Sequence, residues 1–412
     1  MRAFWVWLHR WTGLLMTGFL VVVGLTGSIL AFHNELDRLA TPWLYARPRD
    51  TPRLDFAALA EKAEALVPQG RVRNIGYRFP EQVIVGMTPR KDAATGKPYE
   101  LGFRQLFLDP WTGDELGRRT PGDLSQGRIN LMTFIYLLHD ALMLGPTGIT
   151  ILGVVALVWT LDCFVGFYLT LPIARSAFWR RWKPAWLIKW RASAYRVNFD
   201  LHRASGLWLW PVLLVFAWSS VMFDWRPLYD GVMHAFFQYE APREALESLR
   251  ARPTPHPRLD WRAAQATGEA LMAKEAADRG FTVTQARAMT YLIDKGVYIL
   301  SFRSSLDVDA IHAGNCSVYF DGDSGALLRV MLPTGQYAGN TITSWLYALH
   351  MGGVFGLPYR IFVCALGLIV AMLSATGVYV WLKKQRARRL GARHSRYADE
   401  REPRTDRQHS LP

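Results

Sequence analysis

Two short stretches decide the fold: Leu8-His9-Arg10-Trp11-Thr12-Gly13-Leu14 and its repeat, Leu201-His202-Arg203-Ala204-Ser205-Gly206-Leu207. Each copy opens a long apolar run, and in each copy the histidine and the glycine stand four residues apart. On a helix this spacing places both residues on one face, one turn apart. Because glycine has no side chain, a broad, flat group can approach the backbone beside the histidine.

A single copy of this motif would be explained more simply as an interfacial His-Arg pair that anchors a helix among lipid headgroups. Two copies, together with further paired histidines, favour ligands to haem iron. The sequence contains no Cys-x-x-Cys-His motif, so the haem is expected to be non-covalent and b-type. The three cysteines imply no disulfide framework.

Composition indicates a membrane protein with soluble parts. Half of the 412 residues are hydrophobic, 17 are tryptophan, and the formal net charge is +14. The positive charge is concentrated in particular loops, which indicates membrane topology rather than nucleic-acid binding. We therefore expect the lipid bilayer as a partner and do not expect a nucleic acid.

Apolar runs at 11–32, 149–171, 207–223 and 360–381 are each read as a transmembrane helix. A cleaved signal peptide is the competing interpretation of the first run, which is too long for a typical signal sequence. Basic residues concentrate at 173–203 and after 382, so these segments are expected in the cytoplasm. Four spans then place both termini in the cytoplasm and the soluble segments on the opposite side.

Both soluble segments have an α+β pattern. The first has helical periodicity at 55–66 and β-like stretches at 71–79, 82–88 and 103–108. The second has a helix at 261–279 and strands at 282–292, 297–303 and 316–320. The sequence therefore predicts a membrane α-helical bundle of four long transmembrane helices with two α+β domains on its outer side.

These assignments divide the chain into eight segments. In order they are transmembrane helix 1 (1–34), soluble domain 1 (35–128), a short His helix plus transmembrane helix 2 (129–172), a basic cytoplasmic loop (173–200), transmembrane helix 3 (201–225), a linker and soluble domain 2 (226–339), a short His helix plus transmembrane helix 4 (340–382), and a basic, disordered cytoplasmic tail (383–412).

The order of segments indicates an internal two-fold repeat. His139 matches His350 and Gly166 matches Gly377, both at an offset of 211 residues. His9 and His202 have the smaller offset of 193, and the longer linker after the third span absorbs the difference. Each unit has two spans, so both copies run in parallel around a pseudo-two-fold axis along the membrane normal.

Such an axis pairs equivalent histidines. His9 would meet His202 at the cytoplasmic edge, and His139 would meet His350 at the outer edge. Neutral imidazole is a common haem-iron ligand, so two pairs would hold two haems b. Arg10 and Arg203, beside the first pair, would neutralise haem propionates.

The spacing leaves other ligand assignments open. Ligands could instead pair within one unit, or the outer haem could use His33 or His234, and His33 is kept as an alternate ligand. Asp162 lies near the middle of the second span, where a carboxylate is costly. Asp162 is therefore a functional candidate. An equally weighted alternative is a carboxyl group that is hydrogen-bonded between packed helices or is protonated.

The chain resembles the PepSY-associated transmembrane family from about residue 5 to about residue 385. The resemblance rests on His9-Arg10-x-x-Gly13-Leu14, Glu35-Leu36-Asp37-Arg38 with Pro42, the Asp-x-x-[Thr/Ser]-Gly turns and Gly377-Val378-Tyr379-x-Trp381. It implies a bacterial inner-membrane location, PepSY-like periplasmic domains, haem, and a role in reducing iron from siderophores. Some members carry a fused flavin reductase domain, which this sequence does not contain, so a quinol and a cytoplasmic flavin reductase both remain candidate electron donors.

Together these lines predict a haem-dependent ferric-siderophore reductase. An electron would enter near His9 and His202, pass to the haem near His139 and His350, and reach a ferric siderophore in the periplasm. Two other classes stay open: a non-enzymatic regulator whose PepSY-like domains bind a partner, and a component of a siderophore or iron permease.

Overall fold

A computed structural model of the protein describes residues 1–249, 252–309 and 316–399. These described residues form two compact units, one within 1–24, 155–217 and 368–399, the other within 25–154 and 218–367. The helices are α1 (Arg2–Leu30), α2 (His33–Ala40), α3 (Phe56–Leu66), α4 (Leu131–Ala141), α5 (Pro146–Thr170), α6 (Phe178–Trp182), α7 (Ala194–Trp208), α8 (Trp210–Asp224), α9 (Arg226–Phe236), α10 (Pro242–Glu247), α11 (Trp261–Arg279), α12 (Ala338–His350) and α13 (Gly356–Asp399). The strands are β1 (Gly70–Phe79), β2 (Gln82–Pro89), β3 (Gln105–Leu108), β4 (Glu115–Arg119), β5 (Val283–Leu292), β6 (Val297–Ser304), β7 (Cys316–Asp321) and β8 (Leu327–Met331).

Within the described residues, three helices are each long and apolar enough to cross a bilayer: α1, α5 and the Gly356–Arg389 part of α13. Helices α7 and α8 meet this requirement only together, and they are bent by 71° at their break. Pro211, the second residue of α8, explains the break, because it donates no backbone N–H and its ring clashes with the carbonyl four residues earlier. The predicted third span is therefore a bent helix pair. The apolar helices are those of a membrane protein.

Helix α13 is longer than the predicted fourth span and continues to Asp399. Residues 383–399, for which the sequence predicts a disordered tail, are part of this helix in the structure. Lysine, arginine, alanine and glutamine make up most of this stretch. These residues have high helix propensity and extend a helix that the apolar span has already nucleated. Residues 400–412 of the predicted tail lie outside the described residues.

The strands form one antiparallel sheet in the order β4-β3-β2-β1-β5-β6-β7-β8. Each soluble segment contributes a meander, and the two meanders join at β1 and β5. These strands pair over three residues, from Asn74 opposite Thr290 to Gly76 opposite Ala288. A Cβ on Gly76 would lie 2.9 Å from the Cβ of Ala288, so the join requires glycine there.

One apolar core lies against this sheet and contains residues of both segments. Helices α3 and α11 pack on it, and each begins at an aspartate that accepts a hydrogen bond from the first turn. Asp55 accepts from the Ala58 N–H at 2.7 Å, and Asp260 accepts from the Ala263 N–H at 2.8 Å. The sequence predicts the helices and most strands of the two segments, but it does not predict that they share one sheet and one core.

A buried ion pair connects this sheet to the segment before α4. Nη1 of Arg119, the last residue of β4, donates to Asp37 of α2 at 3.2 Å, and the side chains are 0% and 1% exposed. The same nitrogen lies 3.4 Å from the carbonyl oxygen of Ile129, just before α4. Because an unpaired buried charge is costly, this contact fixes α2 and the start of α4, the helix that carries His139.

Candidate functional site

His9 of α1 and His202 of α7 face each other, and we call them the first pair. Their ring centroids are 6.2 Å apart, with an angle of 60° between the ring planes. The sequence repeat predicts that these two residues meet, although 193 positions separate them along the chain. The structure brings them together within one compact unit.

The Nδ1 atom of His9 contacts a carboxylate. It lies 3.0 and 2.9 Å from the two carboxylate oxygens of Asp162 on α5. The Thr12 hydroxyl lies 3.0 Å from Oδ1 of Asp162, to which it donates. Because a carboxylate only accepts hydrogen bonds, these partners assign the hydrogen of His9 to Nδ1 and the lone pair to Nε2.

The Nδ1 atom of His202 contacts the backbone of α13. It lies 3.0 Å from the Leu373 carbonyl oxygen and 3.2 Å from the Thr376 hydroxyl. A carbonyl oxygen also only accepts, so His202 has the same tautomer as His9. Both rings of the first pair therefore present Nε2, the nitrogen that a metal-binding histidine commonly uses, while Nδ1 is held by a neighbouring group.

Each ring of the first pair lies against a glycine. A Cβ on Gly166 would be 3.5 Å from Cε1 of His9, and a Cβ on Gly377 would be 3.4 Å from Cε1 of His202. Larger side chains at either glycine would displace the ring. The two glycines are the ones that the sequence repeat matches to each other.

Open space lies beside the two glycines of the duplicated motif. A Cβ on Gly13 would meet nothing within 4 Å, and a Cβ on Gly206 would meet only the Leu373 side chain, at 4.0 Å. Neither glycine is therefore blocked, at this distance, against the approach of the broad, flat group that the sequence suggests.

His139 of α4 and His350, the last residue of α12, form the second pair. Their ring centroids are 6.4 Å apart, with an angle of 66° between the ring planes. Nδ1 of His139 lies 3.0 Å from the Thr26 hydroxyl, and Nδ1 of His350 lies 2.7 Å from the Ser219 hydroxyl. Burial, followed by repulsion from His139, lowers the pKa of His350 to about 3, so this ring is neutral near pH 7.

Tight packing holds the rings of the second pair. A Cβ on Gly27 of α1 would lie 3.0 Å from Cε1 of His139, closer than ordinary van der Waals contact. The ring of Phe223 meets the His350 ring edge-on, with centroids 5.1 Å apart. These contacts restrict both imidazoles to one orientation.

The spacing of both pairs fits two axial ligands on one iron. A metal–imidazole bond of about 2.0 Å, plus about 1.2 Å from the nitrogen to the ring centre, puts the centroids of a bis-imidazole complex about 6.4 Å apart. The described residues contain no group of three or more His, Cys, Asp or Glu side chains that could hold a metal ion. Two histidines suffice for haem, because the macrocycle itself supplies the other ligands.

The two arginines that the sequence assigns to haem propionates differ in their surroundings. Nη2 of Arg203 donates to Asp200 at 2.7 Å and to the Pro184 carbonyl at 2.6 Å. Nε of Arg203 is buried without a hydrogen-bond partner among the described residues, and a carboxylate of a bound group would satisfy it. Arg10 is half-buried beside His9 in α1.

The alternative ligands lie elsewhere. His33 accepts a hydrogen bond at Nδ1 from Nη2 of Arg78, at 2.9 Å, which places the proton of the neutral ring on Nε2. Nε2 of His234 lies 3.0 Å from the Glu244 carboxylate, near the surface. The structure brings neither residue into ring contact with another histidine within the described part of the chain.

A family model described as the PepSY-associated TM region matches residues 6–384. The chain belongs to the PepSY-associated transmembrane family. This confirms the family that the sequence motifs indicate, and it agrees with the apolar helices of a membrane protein. No protein with a curated description matches the chain.

Sequence reasoning missed the side chains that hold Nδ1 in this family member. From the sequence alone, Asp162 is a candidate without a named partner, and neither Thr26 nor Ser219 is named as a partner of a histidine. A signal was present, because the offset of 193 residues that relates His9 to His202 also relates Thr26 to Ser219. A search for polar residues at the offsets of the histidines would have found the second pair's hydroxyls.

Proposed function

We propose that the protein is an inner-membrane b-type haem protein that passes electrons across the membrane and reduces ferric siderophores in the periplasm. The first pair and the second pair would each hold one haem b. The observation that supports this most strongly is the ring spacing, 6.2 and 6.4 Å, in two separate pairs of histidines. Both pairs also have a hydrogen-bond partner at Nδ1 of each ring, which leaves Nε2 for iron.

The topology belongs to the same proposal. The bent pair α7–α8 counts as one span, which makes four spans in two repeated units. The basic segments 173–200 and 383–389 lie in the cytoplasm, and the antiparallel sheet lies in the periplasm. The two halves of the sheet are the PepSY-like parts of the chain.

When bound, haem supplies a centre that accepts and gives up one electron at a time. The residues of the two pairs hold and orient the centres, and the glycines beside them leave room. A quinol or a reduced flavin gives up two electrons, so two ferric siderophores are reduced per donor and a quinol releases two protons. The hard oxygen ligands of siderophores prefer Fe(III), so reduction to Fe(II) weakens the complex and releases iron.

The first experiment is an absorption spectrum of the full-length protein, purified in detergent after expression with a haem supply. We expect a Soret band and two haems b per chain by pyridine haemochrome. His202→Ala and His350→Ala should each lose one haem, whereas the matched control His256→Ala, an exposed histidine, should keep both.

The second experiment mixes the dithionite-reduced protein, freed of excess dithionite, with ferric siderophore under anaerobic conditions and traps Fe(II) with a coloured chelator. We expect one Fe(II) for each electron stored in the protein. A chain without a Soret band would overturn the proposal and favour the non-enzymatic regulator. A haem protein that is not reoxidised by the ferric siderophore would overturn the reductase activity.

A further inference from the structure

We infer that Asp162 is a positioning residue that gives the first pair the lower reduction potential of the two haem sites. This inference rests on the proposed function and adds a direction to the electron transfer. It concerns a buried carboxylate that contacts the ring of a ligand and not the haem itself.

The repeat that we propose places Asp162 opposite Leu373. The offset of 211 residues that relates His139 to His350 relates these two positions as well. In both halves this position contacts Nδ1 of the first-pair histidine, but with different chemistry. A side-chain carboxylate meets His9 at 2.9 Å, whereas a backbone carbonyl meets His202 at 3.0 Å.

The backbone carbonyl shows that a neutral oxygen is enough to fix the tautomer at this position. A carboxylate within a membrane-spanning helix costs several kcal/mol more than a neutral group, by an order-of-magnitude estimate. Asp162 is nevertheless 9% exposed in its side chain and sits inside α5. Orientation of the ring alone therefore does not explain why a charge stands there.

The charge has a specific effect on a ligand. A carboxylate that accepts the Nδ1 hydrogen makes the imidazole a stronger electron donor at Nε2. A stronger donor stabilises Fe(III) more than Fe(II) and lowers the reduction potential, since hydrogen bonding to the axial ligand is one of the means by which a protein tunes haem. Thr12, which donates to Asp162, keeps the carboxylate in place.

The second pair has hydroxyl groups at the corresponding ring atoms, from Thr26 and Ser219. Hydrogen bonds to neutral groups are roughly half as strong as those to charged groups. The second pair is therefore expected at the higher potential, and electron transfer from the first pair to the second is downhill. In the topology that we propose, this direction is from the cytoplasmic side to the periplasmic side.

The test is a redox titration of the full-length protein in detergent, followed by the haem absorption bands. Asp162→Asn keeps the shape and an accepting oxygen but removes the charge. We expect the lower of the two midpoint potentials to rise by about 59 mV, while the higher potential stays the same. For one electron, this shift corresponds to a tenfold change in the ratio of oxidised to reduced haem. The matched control is Thr160→Val, a buried residue of the same helix whose hydroxyl bonds the Ala156 carbonyl.

Every outcome decides the inference. Two bound haems with unchanged potentials in Asp162→Asn overturn it and leave the proposed function intact, and so does a shift of the higher potential only. Absence of haem from the wild-type protein overturns both. If Asp162→Asn loses a haem, Asp162→Glu, which restores the charge, must bind two haems with a low potential near that of the wild type, and a raised potential in that variant overturns the inference.

Discussion

The first and second histidine pairs have nearly the same ring spacing but different partners. Centroids are 6.2 Å apart in the first pair and 6.4 Å apart in the second, and the angles between the ring planes differ by only a few degrees. A carboxylate and a backbone carbonyl hold Nδ1 in the first pair, whereas two hydroxyls lie at Nδ1 in the second.

The comparison separates two requirements. In the function that we propose, the iron that two imidazoles share sets the spacing between them, so the spacing is the same in both pairs. The partner of Nδ1 controls the electron density of the ring, so it can differ without a change in spacing. Under the repeat and the function that we propose, the chain keeps the ligands of both sites and changes their potentials through one substitution next to each ligand.

The largest effect is expected for Gly27→Leu, which should remove the haem of the second pair and keep that of the first. A Cβ at Gly27 already lies 3.0 Å from the His139 ring, so a leucine displaces the imidazole. Pyridine haemochrome should fall from two haems per chain to one. The remaining haem should titrate with the lower potential.

A milder variant, Gly27→Ala, has a matched control in Gly18→Ala, because both change glycine to alanine in α1. A Cβ on Gly18 meets nothing within 4 Å, so this variant should bind two haems like the wild type. Gly27→Ala should show weaker haem retention on heating. Full retention of both haems in Gly27→Leu would contradict the contact between α1 and His139.

A smaller effect is expected for Arg119→Met, which leaves Asp37 buried without its cation. Removal of one partner of a buried ion pair costs about 3–5 kcal/mol. Because Arg119 contacts both Asp37 and the Ile129 carbonyl before α4, the second pair should lose haem at a lower temperature, and the first pair should be less affected. Absorption-monitored thermal melts measure both changes.

Arg118→Met is the control for this comparison. Arg118 is the neighbouring residue of β4, and its ion pair with Glu115 is partly exposed. Exposed pairs contribute about 0–1 kcal/mol, so this variant should melt within a few degrees of the wild type. Equal losses in Arg118→Met and Arg119→Met would show that the buried pair does not support α4.

The smallest effect is expected for His33→Gln, which should keep both haems. Burial, followed by the charge of Arg78, lowers the pKa of His33 to about 4. The unfolded chain takes up this proton near pH 6.5, so the stability that the neutral ring contributes is lost as the pH falls from about 6.5 to about 4. The melting temperature of His33→Gln should therefore fall less steeply across this window than that of the wild type.

Haem content decides between His33 and the second pair. A loss of one haem from His33→Gln, with retention by His350→Ala, would assign His33 as the ligand. The midpoint potentials of His33→Gln should equal those of the wild type, because the ring contacts Arg78 and, among the described residues, no ring of the second pair.

The sequence predicts much of the candidate site, because the histidines of each pair stand at the offsets of the repeat that we propose. The His9–His202 and His139–His350 pairs follow from these offsets. Helix α11 begins and ends where its periodicity predicts, at Trp261 and Arg279. Local patterns also predict the apolar spans, because a run of about twenty apolar residues is typical of a transmembrane helix.

The rest depends on contacts between distant parts of the chain. Asp162 is 153 residues from His9, so no local pattern connects them. The join of β1 and β5 likewise depends on tertiary packing. Pro211 lies at the break between α7 and α8, but a proline near the start of a helix costs little, so the sequence does not predict the bend of 71°.

The short join between β1 and β5 has a consequence for biosynthesis. Its partners, such as Gly76 and Ala288, lie more than 200 residues apart. At translation rates of about 5–20 residues per second, β1 waits about 10–40 s for its neighbour to leave the ribosome. During that delay its open edge can pair with β5 of another copy and produce swapped dimers. Yield of the correctly assembled chain should therefore depend on expression rate and on holding chaperones.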